Sequence, residues 1–141
     1  MKKDAPMSLP KSFLLFLIAF VLLVSTAHIG FLYALLRNLF FGGIKKLNIF
    51  FLDAAIAIDN TGNVMMQYLL NDLLLIKHKD SYYFGNKKET ISSVIGKNSL
   101  TNTLSPLGKA LNAFLNWLDK NHSLNSIIYD VKFWLNENKE N

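Results

Sequence analysis

One uninterrupted apolar run near the N-terminus constrains this chain more than any other feature. Residues 13–24 read FLLFLIAFVLLV, and no Asp, Glu, Lys or Arg occurs between Lys11 and Arg37. A helix rises about 1.5 Å per residue, so roughly 20 such residues cross a 30 Å hydrocarbon core. Within lipid, a helix pairs all its backbone groups internally. The sequence therefore predicts a transmembrane anchor within residues 12–41, preceded by a basic tail over residues 1–11 and followed by a stop at Gly42 and Gly43.

A cleaved signal peptide is the alternative interpretation of this segment. Residues 25–27 are small, as a cleavage site requires, and basic residues precede the run. The apolar pattern continues through residues 29–36, however, which favours an anchor. We therefore expect a single-pass protein of the bacterial inner membrane. Its orientation is finely balanced, with a slight preference for an internal N-terminus, because three basic residues lie close to each end: Lys2, Lys3 and Lys11 before the helix, and Arg37, Lys45 and Lys46 after it.

Small residues form a strip along the predicted anchor. Thr26, Gly30 and Ala34 follow one another at intervals of four residues, which places them on one helix face. Such a strip allows a second helix to pack closely, so a homo-oligomer or a membrane partner protein is predicted. Ordinary small residues of a solitary helix are the alternative. His28 lies about 200° around the helix from Gly30, and is either functional or a neutral imidazole near one end of the span.

Composition excludes several classes of function. The chain has 141 residues, a net charge of +5 and no cysteine, so disulfides, thiolate metal sites and cysteine nucleophiles are absent. Its lysines are scattered in ones and twos, which is unlike a nucleic-acid-binding arm, and no nucleic-acid partner is expected. A modest basic excess beside an apolar helix is more typical of contact with anionic lipid head groups. The lipid bilayer is the partner that the sequence predicts.

Residues 44–76 have the spacing of a long amphipathic helix. A narrow polar stripe interrupts an otherwise apolar surface at intervals of seven, seven and four residues: Asp53, Asn60, Gln67 and Asn71. A helix lying in the membrane interface or a second span with its stripe toward a partner would both fit. Asp53 and Asp59 make spanning costly, so the interfacial form is preferred, with a break at Gly62.

Residues 77–141 predict a small helical unit with a charged tail. The loop 77–88 contains Tyr82, Tyr83 and Phe84, which we interpret as anchors at the head-group level. Asn86 and Glu89 have capping-box spacing and predict a short helix that ends before Gly96.

Two further amphipathic helices are predicted after that loop. The first begins at Ser105-Pro106 and the second follows a polar loop at 119–123. The first places five apolar residues on one face: Leu107, Ala110, Leu111, Phe114 and Leu118. In the second, we expect six apolar residues to face inward: Leu124, Ile127, Ile128, Val131, Trp134 and Leu135. No alternating strand pattern occurs, so the expected fold class is all-α: one N-terminal transmembrane helix, a long amphipathic helix and a C-terminal helical unit that could rest on the membrane.

Only one polar set has the residue types of a catalytic site. Glu89 and His122 could act as acid and base, Asp119 could orient the imidazole, and Ser92 or Ser93 could act as nucleophile. The same residue types occur at helix starts for capping, which is the favoured interpretation. Asp119 and His122 offer two metal ligands without a third at diagnostic spacing. No cofactor is predicted, and the sequence favours a non-enzymatic protein.

Three short motifs resemble a family of small uncharacterised phage and prophage proteins. They are D-x-x-G-N at residues 59–63, E-T-I-S at residues 89–92, and a tryptophan at position 117 followed five residues later by His122. Ser123 stands where that family usually has cysteine, and residues 64–84 resemble an insertion. The resemblance implies a phage or other mobile-element origin and gives Glu89 and His122 more weight. It implies no established activity.

Three functional hypotheses follow. The first is a non-enzymatic membrane protein that acts by helix association in the inner membrane, in lysis or envelope modification. The second is a membrane-tethered hydrolase that uses Glu89 and His122. The third is an anchored adaptor whose C-terminal helices bind a partner protein.

Overall fold

The computed structural model describes residues 8–137, with side chains to position 131. The chain divides into a first unit, which ends at Leu52, and a second unit, which begins at Asp53. The described part is helical and contains no strand, only an isolated bridge between Leu75 and Leu104, which confirms the predicted all-α class. Its helices are α1 (Leu9–Arg37), a π-helical turn (Asn38–Gly42), α2 (Gly43–Met65), α3 (Gln67–Leu74), α4 (Ile91–Leu100), α5 (Pro106–Leu118) and α6 (His122–Glu137).

The predicted apolar N-terminal helix is present as α1. Pro10 lies in its first turn, where the missing amide hydrogen costs no hydrogen bond. The 29 residues of α1 include none that is buried within the structure. By length and composition, this helix can cross a membrane.

A π-helical turn and a glycine separate α1 from α2. The side-chain amide of Asn38 donates to the carbonyl oxygen of Ala34 at 2.9 Å. Gly43 has a φ of +69°, a backbone conformation that favours glycine. The ring of Phe31 then contacts Phe50 and Phe51, with centroids 5.5 and 6.4 Å apart. The start of α2 therefore folds back toward α1.

The predicted amphipathic rod is broken at Met66 and not at Gly62. Met66 leaves helical geometry, with φ −102° and ψ 10°, and separates α2 from α3. Gly62 stays inside α2, where a Cβ would come within 3.0 Å of the Ile91 side chain. Gly62 therefore continues the helix, and it packs beside the flexible end of the Ile91 side chain.

The core of the second unit surrounds α4. Six apolar side chains are buried there: Leu74, Leu75, Phe84, Val94, Ile95 and Leu104. The prediction that Phe84 is a head-group anchor is wrong, because its ring is 4% exposed and belongs to this core.

Helix α4 differs from the predicted helix at both ends. Thr90 is its N-cap, and its hydroxyl accepts from the amide of Ser93 at 3.1 Å. The predicted end before Gly96 is wrong, since α4 continues to Leu100. Gly96 is needed for packing: a Cβ at this position would overlap the carbonyl oxygen of Ser123 at the start of α6.

Helix α5 begins as predicted, but its apolar stripe faces outward. Pro106 is its first residue, and Ser105 accepts from the amide of Gly108 at 3.1 Å. Of the residues predicted to share one face, Leu107, Phe114 and Leu118 are exposed, whereas Leu111 packs against the core.

The inward direction predicted for the apolar residues of α6 is wrong except at Ile127. Ile127 is half-buried as expected, but Leu124, Ile128 and Val131 are exposed while Ser123 and Asp130 are buried. The predicted inward side chains of Trp134 and Leu135 lie outside the residues whose side chains are described.

Replacing Gly96 by alanine should destabilise the second unit by about 1–3 kcal/mol, since the new methyl group must displace the backbone of α6. Urea unfolding of the full chain in detergent micelles, followed by tryptophan fluorescence, measures this. Gly62→Ala is the matched control, because its neighbours are the flexible ends of Ile91 and Met66. An equal loss in both variants would contradict the packing role of Gly96.

Candidate functional site

One polar residue of α2 and one of α3, Asn63 and Asn71, bind the chain's own loop at residues 82–90. Asn63 is fully buried, and its amide donates to the carbonyl oxygens of Asn86 and Glu89 at 3.0 and 2.7 Å. Its side-chain oxygen accepts from the amide of Gly85 at 2.9 Å. One asparagine therefore satisfies three backbone groups of the loop.

Two further asparagines bind the same loop. Asn71 of the predicted polar stripe accepts from the amide of Phe84 at 2.8 Å. Asn98 of α4 accepts from the amide of Tyr82 at 2.9 Å and donates to its carbonyl oxygen at 2.7 Å. The side-chain amides of Asn71 and Asn98 thus hydrogen-bond to the loop backbone, as the backbone of a neighbouring β-strand would.

The other members of the predicted stripe have different surroundings. Asp53 is exposed, and Gln67 donates to the carbonyl oxygen of Val64 at 3.0 Å. The side-chain oxygen of Asn60 is buried without a hydrogen-bond partner. Of the four predicted stripe residues, Asn71 is therefore the one whose hydrogen bonds reach the loop in the described part of the chain.

Two carboxylates meet at the N-terminus of α4. Asp59 of α2 accepts from the amide of Ile91 at 3.1 Å and from the hydroxyl of Ser92 at 2.9 Å. Asp130 of α6 accepts from the amide and hydroxyl of Thr90 at 3.0 and 3.2 Å. Amide hydrogens at a helix start have no intrahelical partner, and the helix dipole favours negative charge there.

Glu89 lies beside this helix start in a separate polar cluster. Its Oε1 accepts from the hydroxyl of Tyr82 and the amide of Asn86, both at 2.9 Å, and forms an ion pair with Lys97 at 2.9 Å. Its Oε2 is buried without a hydrogen-bond partner. The ammonium of Lys97 also lies 4.1 Å from the centroid of the Tyr82 ring, which is a cation–π contact.

Burial lowers the pKa of Lys97, but this effect is outweighed. Hydrogen bonds with Glu89 and Tyr82 and attraction to the Glu89 carboxylate raise the pKa of Lys97 above its ordinary value of 10.5. The ammonium is therefore stabilised by folding.

His122 has another partner and no contact with Glu89. His122 is the first residue of α6, and its Nδ1 lies 3.3 Å from the carboxylate of Asp119, the exposed C-cap residue of α5. Between residues 8 and 131, no hydrogen bond or ion pair joins Glu89 to His122. The Ser92 hydroxyl donates to Asp59, and that of Ser93 is buried without a partner. No three His, Asp or Glu side chains in this part of the chain form a group that could hold a metal ion.

The small-residue strip of α1 is open. A Cβ on Gly30 would meet nothing within 4 Å, and the Thr26 hydroxyl donates back to the carbonyl oxygen of Leu22 at 2.7 Å. His28 is similarly paired within the helix, with its Nδ1 3.2 Å from the carbonyl oxygen of Val24.

Sequence reasoning missed Asp130 and assigned Asn63 only to a motif. Asp130 falls three residues after Ile127, so it shares the buried side of α6. An aspartate at a buried position of the helical pattern was the signal available in the sequence. A buried carboxylate needs hydrogen-bond donors, and the first amide hydrogens of another helix can supply them. Comparison with family models, curated proteins and solved structures gave no match.

Replacing Asn63 by alanine should cost about 2–4 kcal/mol of unfolding free energy, because three loop backbone groups would lose their partner in a buried site. Denaturant titration of the full chain in micelles checks this. Thr61→Ala, which removes one exposed hydroxyl bonded to Ala57, is the control and should be nearly neutral. A small effect at both positions would show that Asn63 does not hold the loop.

The Lys97 interactions predict a pH dependence. Because the folded pKa is raised, the contribution of Lys97 to stability is complete below 10.5 and is lost as pH rises through the higher folded value. The stability difference between the native chain and Lys97→Met should therefore be constant from neutral pH to 10.5 and shrink above it. Lys109→Met, at an exposed position, serves as the control. If the stability difference between the native chain and Lys97→Met stayed constant above pH 10.5, folding would not stabilise the Lys97 ammonium as proposed.

Proposed function

We propose that this chain is a small non-enzymatic membrane protein that acts by helix association in the bacterial inner membrane. The observation that carries the proposal is that none of the 29 residues of α1 is buried. Removing a large apolar side chain from water contributes about 1.5–3 kcal/mol, and α1 has more than a dozen such side chains without cover. A hydrocarbon environment would remove all of these apolar side chains from water.

The strip of Thr26, Gly30 and Ala34 supports association as the mode of action. The space beside Gly30 is empty, so a second helix could approach its backbone. We propose a second copy or a membrane partner protein at this strip, with the N-terminus inside. A role in lysis or envelope modification and a mobile-element origin have support from the sequence motifs alone.

The hydrolase hypothesis has less support. An acid or base needs access to a reacting group, whereas Oε1 of Glu89 is already bound to Tyr82, Asn86 and Lys97. The adaptor hypothesis has one supporting observation, the exposed side chains of Leu124, Ile128 and Val131 on α6.

Association through the strip predicts a difference between two isoleucine variants. The full chain should remain in bacterial membranes after an alkaline carbonate wash and should cross-link to itself or to a membrane partner. Gly30→Ile should reduce this cross-linking about tenfold, because one buried clash costs roughly 1–3 kcal/mol. Ser25→Ile, about 140° away around the helix, is the matched control.

Two results would contradict the proposal. Release of the full chain by carbonate would exclude the membrane anchor. Equal cross-linking of the native chain and both variants would exclude association through the strip.

A further inference from the structure

We propose that the outward face of α5 binds the lipid head-group surface and inserts its aromatic side chains there. At 100° per residue, Gly108, Leu111 and Leu115 turn toward the second unit, with polar Asn112 and Asn116 beside them. The opposite side is apolar throughout. We call it the α5 outer face, and it consists of Leu107, Ala110, Ala113, Phe114, Trp117 and Leu118.

The exposure of this face is the reverse of that in a water-soluble helical domain, whose helices turn polar residues to solvent. The Trp117 side chain is 77% exposed, and Phe114 and Leu118 are 53% and 60% exposed. The Phe114 and Trp117 rings stack with centroids 6.0 Å apart, which makes the apolar surface continuous. A contiguous exposed patch of this kind marks a binding surface.

The aromatic chemistry of the face favours lipid as the occupant. Tryptophan prefers the membrane interface, where its ring is in acyl chains and its indole N–H reaches polar groups. Lys109 borders the face within α5 and Lys120 follows the helix, both exposed, as expected at a head-group surface. Residues 53–141 carry nine lysines and nine carboxylates, so apolar insertion and not net charge would provide most of the binding.

The proposed anchor would also attach the second unit to a bilayer. This inference rests on the proposed function: if α1 spans the membrane and ends at Arg37, the second unit begins only sixteen residues later, at Asp53. An attachment of that length raises the effective concentration of lipid surface for the second unit. Moderate apolar insertion therefore suffices for binding, as it would not in an untethered domain.

Quenching of Trp117 by brominated lipid tests the proposal. The probe is the full chain with Trp134→Phe, which leaves Trp117 as its only tryptophan, reconstituted in phosphatidylcholine vesicles brominated near the glycerol end of the acyl chains. Trp117 emission should fall roughly twofold or more relative to unbrominated vesicles, since interfacial helices insert to about that depth. Adding Phe114→Gln and Leu118→Gln, both at exposed positions, should abolish most of the quenching and leave far-ultraviolet circular dichroism unchanged.

Three outcomes separate this inference from the proposed function. If the chain does not float with the vesicles, the anchor itself fails. If the chain floats but Trp117 is quenched by aqueous acrylamide and not by bromolipid, the α5 outer face lies in water and the inference is overturned. If Trp117 is shielded from both quenchers, a protein surface covers the face, which also overturns the lipid assignment.

Discussion

The second unit depends on how the N-terminus of α4 is satisfied. This helix is mostly buried, so its first amide hydrogens cannot use water, and each unpaired donor would cost about 1–3 kcal/mol. Asp59 and Asp130 supply the acceptors from α2 and α6, which lie far apart in the sequence. The same hydrogen bonds that complete α4 therefore also join the first and last helices of the unit to it.

Polar groups account for an unusual share of this interior. The described residues include six buried apolar side chains and eight buried polar or charged ones. With so few apolar contacts, burial alone does little to fix the conformation of the loop at residues 82–90. Asn63, Asn71 and Asn98 provide that orientation, because an amide side chain can donate and accept at once and so can replace a backbone partner. The stability of the second unit is therefore sensitive to substitution of these asparagines, because no apolar side chain can replace the hydrogen bonds of a buried amide.

Local signals predicted the fold better than apolar periodicity did. The start of α5 at Ser105-Pro106 follows from helix capping, and the apolar helix α1 follows from hydropathy. Both properties can be read from the residue types alone. The apolar stripes of α5 and α6 were located correctly. The inward direction predicted for α6 was wrong, because periodicity shows that residues share a face and not whether that face meets protein, lipid or water. Gly96 misled for a related reason: only the tertiary approach of Ser123 distinguishes a packing glycine from a helix end.

Two of the three short sequence motifs, at residues 59–63 and 89–92, have a structural explanation in this fold. Asp59 and Asn63 of the first motif bind the backbone around Glu89, Ile91 and Ser92, and Ser123 after the third approaches Gly96. The first two motifs, which are distant in sequence, thus meet at the N-terminus of α4. A catalytic constellation would need free proton-accepting atoms aimed at a common point, whereas here Asp59 and Asn63 are occupied in holding α4 and its preceding loop. Structural necessity is therefore sufficient to explain the D-x-x-G-N motif, and Glu89 shares that role through Lys97.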